Sequence, residues 1–131
     1  MKFFRCKSCE NMVEVIEEST SPLVCCGRYM EEIIPYYLDA SKEKHVPVIQ
    51  KNGNRVTIYV GSNPHPMEKE HFIQWIVLET TQGSYRRNLS PWDEPRAEFL
   101  LTGNDSLIAV YAYCNIHGLW MALPQDITKK E

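Results

Sequence analysis

No basic cluster stands out anywhere in this 131-residue sequence, and 14 Lys and Arg against 17 Asp and Glu leave a formal net charge of −3. Nucleic acid, whose phosphates call for a positive footprint, is therefore not an expected partner. No uninterrupted apolar stretch is long enough to span a bilayer, and Met1-Lys2-Phe3-Phe4-Arg5-Cys6 lacks the apolar core of a secretory leader. These absences predict a soluble, cytoplasmic chain. No convincing amphipathic helix can be traced either. The last absence is the most informative, because no cysteine or histidine is left over. All fall into two groups: Cys6, Cys9, Cys25 and Cys26, then His45, His65, His71, Cys114 and His117. Thiolates and imidazoles are the usual ligands of zinc, iron and copper, so the division suggests two metal centres.

The length allows one ordinary domain, or one domain with a small appendage, and the cysteines favour the second. A piece of about 35 residues is below the size at which an apolar core alone holds a fold, and needs a metal or disulfides as a staple. Residues 1–36 hold all four early cysteines, with short extended segments at Met12–Ile16 and Leu23-Val24. They read as a metal knuckle. The stretch Pro35 to Lys42 has no strong periodicity and leads across to a second domain, residues 37–131.

Beyond it the period is two. Val56, Ile58 and Val60 alternate with Thr57 and Tyr59, and the preceding Asn52-Gly53 is a pair that tight hairpin turns prefer. Similar runs occur at Phe72–Glu79, Ala97–Leu101 and Leu107–Tyr113, separated by turn-rich pieces such as Gln82-Gly83-Ser84 and Thr102-Gly103-Asn104-Asp105. Short strands without intervening helices predict an all-β chain whose larger domain is an immunoglobulin-like antiparallel β-sandwich. The polar tail Gln125–Glu131 is expected to fray.

In the first group, Cys6-x2-Cys9 is followed after fifteen residues by Cys25-Cys26. A Cys-x2-Cys turn is the common way to aim two thiolates at one tetrahedral ion. Zinc and iron both accept four thiolates, so spacing does not separate a structural zinc from an electron-carrying iron. The adjacent pair is unusual, because neighbouring residues must turn both side chains to one ion. The alternative is two disulfides or idle buried thiols, which a reducing compartment and an odd fifth cysteine disfavour.

In the second group each histidine alone would be an ordinary structural one. Together they read differently. His65 lies between Pro64 and Pro66 with His71 in the same loop, His45 precedes Val46-Pro47, and Cys114-Asn115-Ile116-His117 closes the last long strand. Three segments can thus converge on one pocket. Five such donors leave a first-row metal one open position, the mark of a reactive site, and a thiolate among imidazoles favours redox chemistry over hydrolysis. A blue-copper set of Cys114, His117, Met121 and one upstream histidine is a rival, but it leaves two histidines and all four early cysteines without a role. A further rival is a non-enzymatic module, in which zinc in the first group braces the fold and the second site stores or carries metal.

The segments Cys6-x2-Cys9 with Cys25-Cys26, Glu43-Lys44-His45-Val46-Pro47-Val48, His65-Pro66-Met67 to His71, and Cys114-Asn115-Ile116-His117-Gly118, in this order, resemble desulfoferrodoxin, the two-iron superoxide reductase family. The resemblance covers nearly the whole chain. It implies that Cys6, Cys9, Cys25 and Cys26 hold one iron in a desulforedoxin-like domain. By the same resemblance His45, His65, His71 and His117 form the equatorial plane of the second, catalytic iron, with Cys114 axial and superoxide entering opposite the sulfur. The implied reaction is one-electron reduction of superoxide to hydrogen peroxide without evolution of oxygen. Re-reduction by rubredoxin and a homodimeric state are also implied.

Charge alone gives Glu43-Lys44 a meaning, since an exposed cation beside an open metal position attracts a small anion and steers it inward. Lys44 is the candidate, and the resemblance adds Glu43 as a carboxylate able to coordinate the oxidised resting iron. The chain departs from the family at Glu10, where glycine often follows the second cysteine. The stretch from Thr80 to Asn104, with Tyr85-Arg86-Arg87 and Trp92, is not aligned with the family by these motifs, which leaves the peripheral strands open.

Overall fold

The computed structural model describes residues 1–37, 42–124 and 127–129, with residues 42, 43 and 127–129 as backbone alone. The chain divides into two compact units, Met1–Ile34 and Pro35–Glu131.

In the first unit, β1 (Lys2–Arg5) is the centre of a three-stranded antiparallel sheet between β2 (Met12–Val15) and β5 (Glu31–Ile33), while β3 (Val24–Cys25) and β4 (Arg28–Tyr29) form a short hairpin. Phe3 and Cys6 are its buried side chains. One aromatic ring and one thiol bury too little surface to hold 34 residues, so the unit depends on whatever its cysteines bind.

The second unit opens with a single helical turn, α1 (Lys42–His45), and continues as strands: β6 (Pro47–Asn52), β7 (Arg55–Val60), β8 (Ile73–Thr80), β9 (Gly83–Asn88), β10 (Arg96–Leu100), β11 (Leu107–Cys114), β12 (Gly118–Ala122) and β13 (Ile127–Lys129). They form two four-stranded sheets, β10-β7-β6-β13 and β12-β11-β8-β9. Val56, Ile58 and Val60 from one sheet and Ile76, Leu78, Val110 and Ala112 from the other fill the core between them. The all-β reading stands. The hairpin loop is Gly53-Asn54, with Asn52 still paired to Arg55, and Gly53 takes the left-handed backbone (φ 61°) that such a turn needs.

Several elements differ from the sequence expectation. Gly83-Ser84, read as turn, begins β9, whose exposed side chains carry no apolar period because one of its faces is solvated. In the tail, Ile127–Lys129 forms β13, paired with β6 in parallel, the one parallel pairing among the described strands. Residues 38–41, 125, 126, 130 and 131, on which the linker and tail readings also fell, lie outside the described residues. No helix among the described residues is long and apolar enough to cross a membrane.

The register brings one set of strand ends together. Pro47 at the start of β6 pairs with Val60 at the end of β7, and Cys114 at the end of β11 pairs with Ile73 at the start of β8 and with Gly118 at the start of β12. His45, His65, His71, Cys114 and His117 all sit within a few residues of those ends.

Candidate metal centres

In the first unit, the Cys6–Cys9 turn closes through the Glu10 N–H donating to the Cys6 carbonyl at 2.9 Å and the Cys6 N–H donating to the Asn11 carbonyl at 2.8 Å. This geometry requires a left-handed residue at position 10, and Glu10 has φ 64°. That explains why glycine suits the position. Here Glu10 is held by Arg5, Nη2 to Oε1 at 2.7 Å.

The adjacent cysteines solve their own problem by backbone geometry. Cys25 pairs with Arg28, and the two residues between, Cys26 and Gly27, both have positive φ (53° and 70°), as a type I′ hairpin turn demands. In a continuing strand Cys25 and Cys26 would point to opposite faces. The turn abolishes that alternation, and their sulfurs lie 4.0 Å apart, with Cys9 Sγ 3.5 Å from Cys25 Sγ. Four sulfurs about 2.3 Å from one ion stand about 3.8 Å apart in a tetrahedron. The four Sγ atoms, all within 4.8 Å of one another, fit such an ion.

The acidities agree. The N–H groups of Cys9 and Ser8, donating to Cys6, lower its thiol to about 6 against the opposing effect of burial. The neighbouring sulfurs of Cys9, Cys6 and Cys25 push Cys26 up to about 12, and Cys25 is raised by Cys9 and Cys6. Four thiols so placed do not all ionise unless a cation balances them.

In the second unit five donor atoms meet, all within 4.8 Å of one another. His45 ends α1, His65 follows β7, His71 precedes β8, Cys114 is the last residue of β11, and His117 lies in the turn to β12. His45 Nε2 is 3.1 Å from His117 Nδ1, and Cys114 Sγ is 3.7 Å from the same nitrogen. Adjacent nitrogens on an ion with bonds of about 2.1 Å stand about 3.0 Å apart. Nε2 of His65 and Nε2 of His71 are buried with no hydrogen-bond partner. A buried polar atom without a partner is costly, and a bound cation supplies what is missing. The site therefore fits a metal on its own geometry.

The surroundings fix the rings. His65 Nδ1 donates to the Pro66 carbonyl at 2.6 Å, which leaves Nε2 as the lone-pair nitrogen. The His65 N–H donates to the Val60 carbonyl at 3.1 Å, and Glu68 and His71 exchange backbone bonds of 2.9 and 3.1 Å. Trp120, buried on β12, stacks on His45 at 4.8 Å and 18°. Burial, with the neighbouring imidazoles, lowers His65 to about 4 and lowers His71 as well, so both are neutral ligands at neutral pH. Burial pushes the Cys114 thiol up, opposed by the N–H groups of His117 and Ile116, of which the former lies 3.4 Å from the sulfur. A cation would reverse that balance and hold the thiolate.

His117 is exposed, so the site opens to solvent. Lys44, also exposed, precedes His45, and its charge is felt at His71. The side chain of Glu43 lies outside the described residues. Met121, the weak ligand of the copper alternative, is on β12 next to Trp120, whose ring stacks on His45, and strand alternation turns adjacent side chains to opposite faces. The stacking of Trp120 on His45 and the hydrogen bonds of the Asn115 side chain to the Glu70 carbonyl and the Phe72 N–H are invisible in the sequence, where neither residue differs from ordinary strand or turn usage.

Residues 37–123 match the family described as desulfoferrodoxin, and residues 1–33 match the desulfoferrodoxin N-terminal domain. The chain is 47% identical over 121 residues to the desulfoferrodoxin of Syntrophotalea carbinolica, covering 92% of this chain and 94% of that one. It is 38% identical over 99 residues to a superoxide reductase of Thermococcus kodakarensis, covering 63% of this chain and 86% of that one. The crystal structure of the superoxide reductase from Treponema pallidum superimposes with a TM-score of 0.79 at 30% identity, over 92% of this chain and 96% of that one.

Proposed function

The chain belongs to the desulfoferrodoxin family, and from that premise we infer that it is a superoxide reductase, which joins superoxide, one electron and two protons into hydrogen peroxide and so removes a reactive oxygen species. The observation that carries this reading is the convergence of four imidazoles and one thiol on one point. Two irons belong to the chain, one at the four-cysteine group and one at the mixed group.

Residues 1–36 act as the desulforedoxin-like iron domain, with Cys6, Cys9, Cys25 and Cys26 as ligands, and residues 37–131 as the catalytic domain. Nε2 of His45, His65 and His71, Nδ1 of His117 and Sγ of Cys114 hold the catalytic iron. When bound in its ferrous form, that iron supplies the electron, and the thiolate among its ligands favours the transfer. Five donors leave one place for a small anion. The Lys44 ammonium draws superoxide toward it. Glu43 is the carboxylate assigned to the oxidised resting iron, on the strength of the motif Glu43-Lys44-His45. The exposure of His117 keeps the site in reach of water, the source of the two protons.

A rubredoxin-type protein returns the electron, the chain works as a homodimer, and it resides in the cytoplasm. Family membership supports the first two, and thiol ligands suited to a reducing compartment support the third.

Anaerobic pulse radiolysis of the reduced, iron-loaded chain tests the reaction. Consumption of superoxide with peroxide formed and no oxygen evolved is expected. A reduced chain that leaves superoxide decaying at its spontaneous rate overturns the assignment.

A further inference from the structure

We propose that Asn115 is a positioning residue, which holds the backbone around His71 against the Cys114–His117 turn and so sets the geometry of the second metal site. The inference rests on the metal reading given above. Asn115 is half-buried, and both polar atoms of its side chain are engaged with backbone groups. Its side chain instead spans to the segment that carries His71: Nδ2 donates to the Glu70 carbonyl at 2.9 Å, and Oδ1 accepts from the Phe72 N–H at 2.9 Å. Its backbone N–H adds a bond to the Phe72 carbonyl at 3.3 Å.

The need for this arises where the sheet ends. The β8–β11 ladder shifts register between Tyr113 and Cys114, and its last pair is Cys114 with Ile73. Beyond it the two chains part, one into the Asn115–His117 turn and the other toward His71. A carboxamide carries a donor and an acceptor side by side, as a peptide group does, so Asn115 extends the ladder one step past its end. The two bonds grip the residues on either side of His71. The brace from the other direction is the two-bond bridge between Glu68 and His71. The His71 Nε2 makes no hydrogen bond within the chain, so the direction of that nitrogen depends on how the backbone on either side is held and on the neighbouring His65 and His117 rings.

The residue chemistry makes the claim divisible. Aspartate keeps an acceptor for Phe72 N–H and loses the donor to Glu70. Leucine, similar in shape, loses both.

The test compares the full chain, loaded with iron at both sites, with Asn115→Leu and Asn115→Asp. Loss of an outer partner of a metal ligand costs about 10–100-fold in affinity. Asn115→Leu is expected to release the second iron to a bipyridine-type chelator about tenfold faster or more, with a shifted thiolate-to-iron absorption band, while the four-cysteine iron keeps its spectrum. Asn115→Asp is expected to fall between. A leucine variant with the parent's release rate and band overturns the proposal. Should that variant lose both irons through misfolding, the aspartate variant decides, and a parent-like release rate from it overturns the proposal. Amide hydrogen exchange separates this inference from the functional reading. Faster exchange at Phe72 in Asn115→Leu but not in Asn115→Asp supports the brace even if the second site takes up no iron, whereas unchanged exchange in both overturns it.

Discussion

His45 and His117, 72 residues apart in the chain, bring Nε2 and Nδ1 to 3.1 Å of each other. Without a metal the approach is an N–H···N hydrogen bond between two imidazoles; with both nitrogens as ligands their lone pairs face a common point, which a cation would fill. Cys114 completes the relation, with its sulfur 3.7 Å from the same Nδ1. Cys114→Ser is expected to abolish the thiolate absorption of the second site and to lower superoxide consumption by more than about 100-fold, beyond what loss of an outer partner costs. The four-cysteine absorption remains as an internal control. A serine variant that retains both signals removes Cys114 from the ligand set.

The exposed ammonium of Lys44, whose charge reaches His71, is proposed to act on approach rather than on the electron step. Lys44→Ile is expected to slow the second-order reaction with superoxide by about tenfold at low salt and to flatten its ionic-strength dependence. Stopped-flow or pulse-radiolysis rates at several salt concentrations provide the measurement, and parallel salt curves for the two proteins rule the role out.

Glu10 holds a left-handed backbone, which costs an ordinary residue about 1–2 kcal/mol. Its exposed ion pair with Arg5 returns only about 0.2–1 kcal/mol. Glu10→Gly is therefore expected to leave the first unit as stable or up to about 1 kcal/mol more stable, whereas Glu10→Val, which loses the ion pair and puts a β-branched side chain at positive φ, is expected to be less stable than the parent. Thermal melts followed at the four-cysteine absorption report the order of the three proteins, and a valine variant as stable as the parent contradicts the strained geometry.

Asp105 anchors the β8–β9 turn, accepting from Thr81 Oγ1 at 3.1 Å, the Gln82 N–H at 3.2 Å and Tyr85 Oη at 3.2 Å. Burial pushes its pKa up, but the donors, Thr80 included, outweigh it, and the net shift is downward. A carboxylate with a depressed folded pKa contributes stability that is complete above its unfolded value, about 3.9, and is lost as pH falls through the folded value. The difference in melting temperature between the parent and Asp105→Asn is thus expected to be constant from neutral pH to about pH 5 and to shrink below about pH 4. A difference that grows on acidification has the wrong sign.

Much of the site was legible because ligand chemistry resides in residue type. Cysteines and histidines are few, all were accounted for by two groups, and the motif order matched a family. The core strands β7 and β11 were legible for a related reason, since Val56, Ile58 and Val60 repeat at the pleat period. Strand β9 was not, because Ser84, Arg86, Arg87 and Asn88 are exposed and solvated strands carry no apolar signal. Nor was β13, since three residues pairing in parallel at an edge draw their stability from a partner strand some 80 positions away.

The sequence by itself determined which atoms are available to bind metal, how they divide into two sets, and the β character of the scaffold, because these follow from side-chain chemistry and local period. Tertiary structure decided which nitrogen of each imidazole faces inward, how Cys25 and Cys26 point the same way, and what braces His71. Those outcomes depend on a left-handed turn at Cys26 and Gly27, on the Pro66 carbonyl beside His65, and on a ladder that ends at Cys114. Each is a relation between segments, set by strand register and turn geometry, and no single residue carries it.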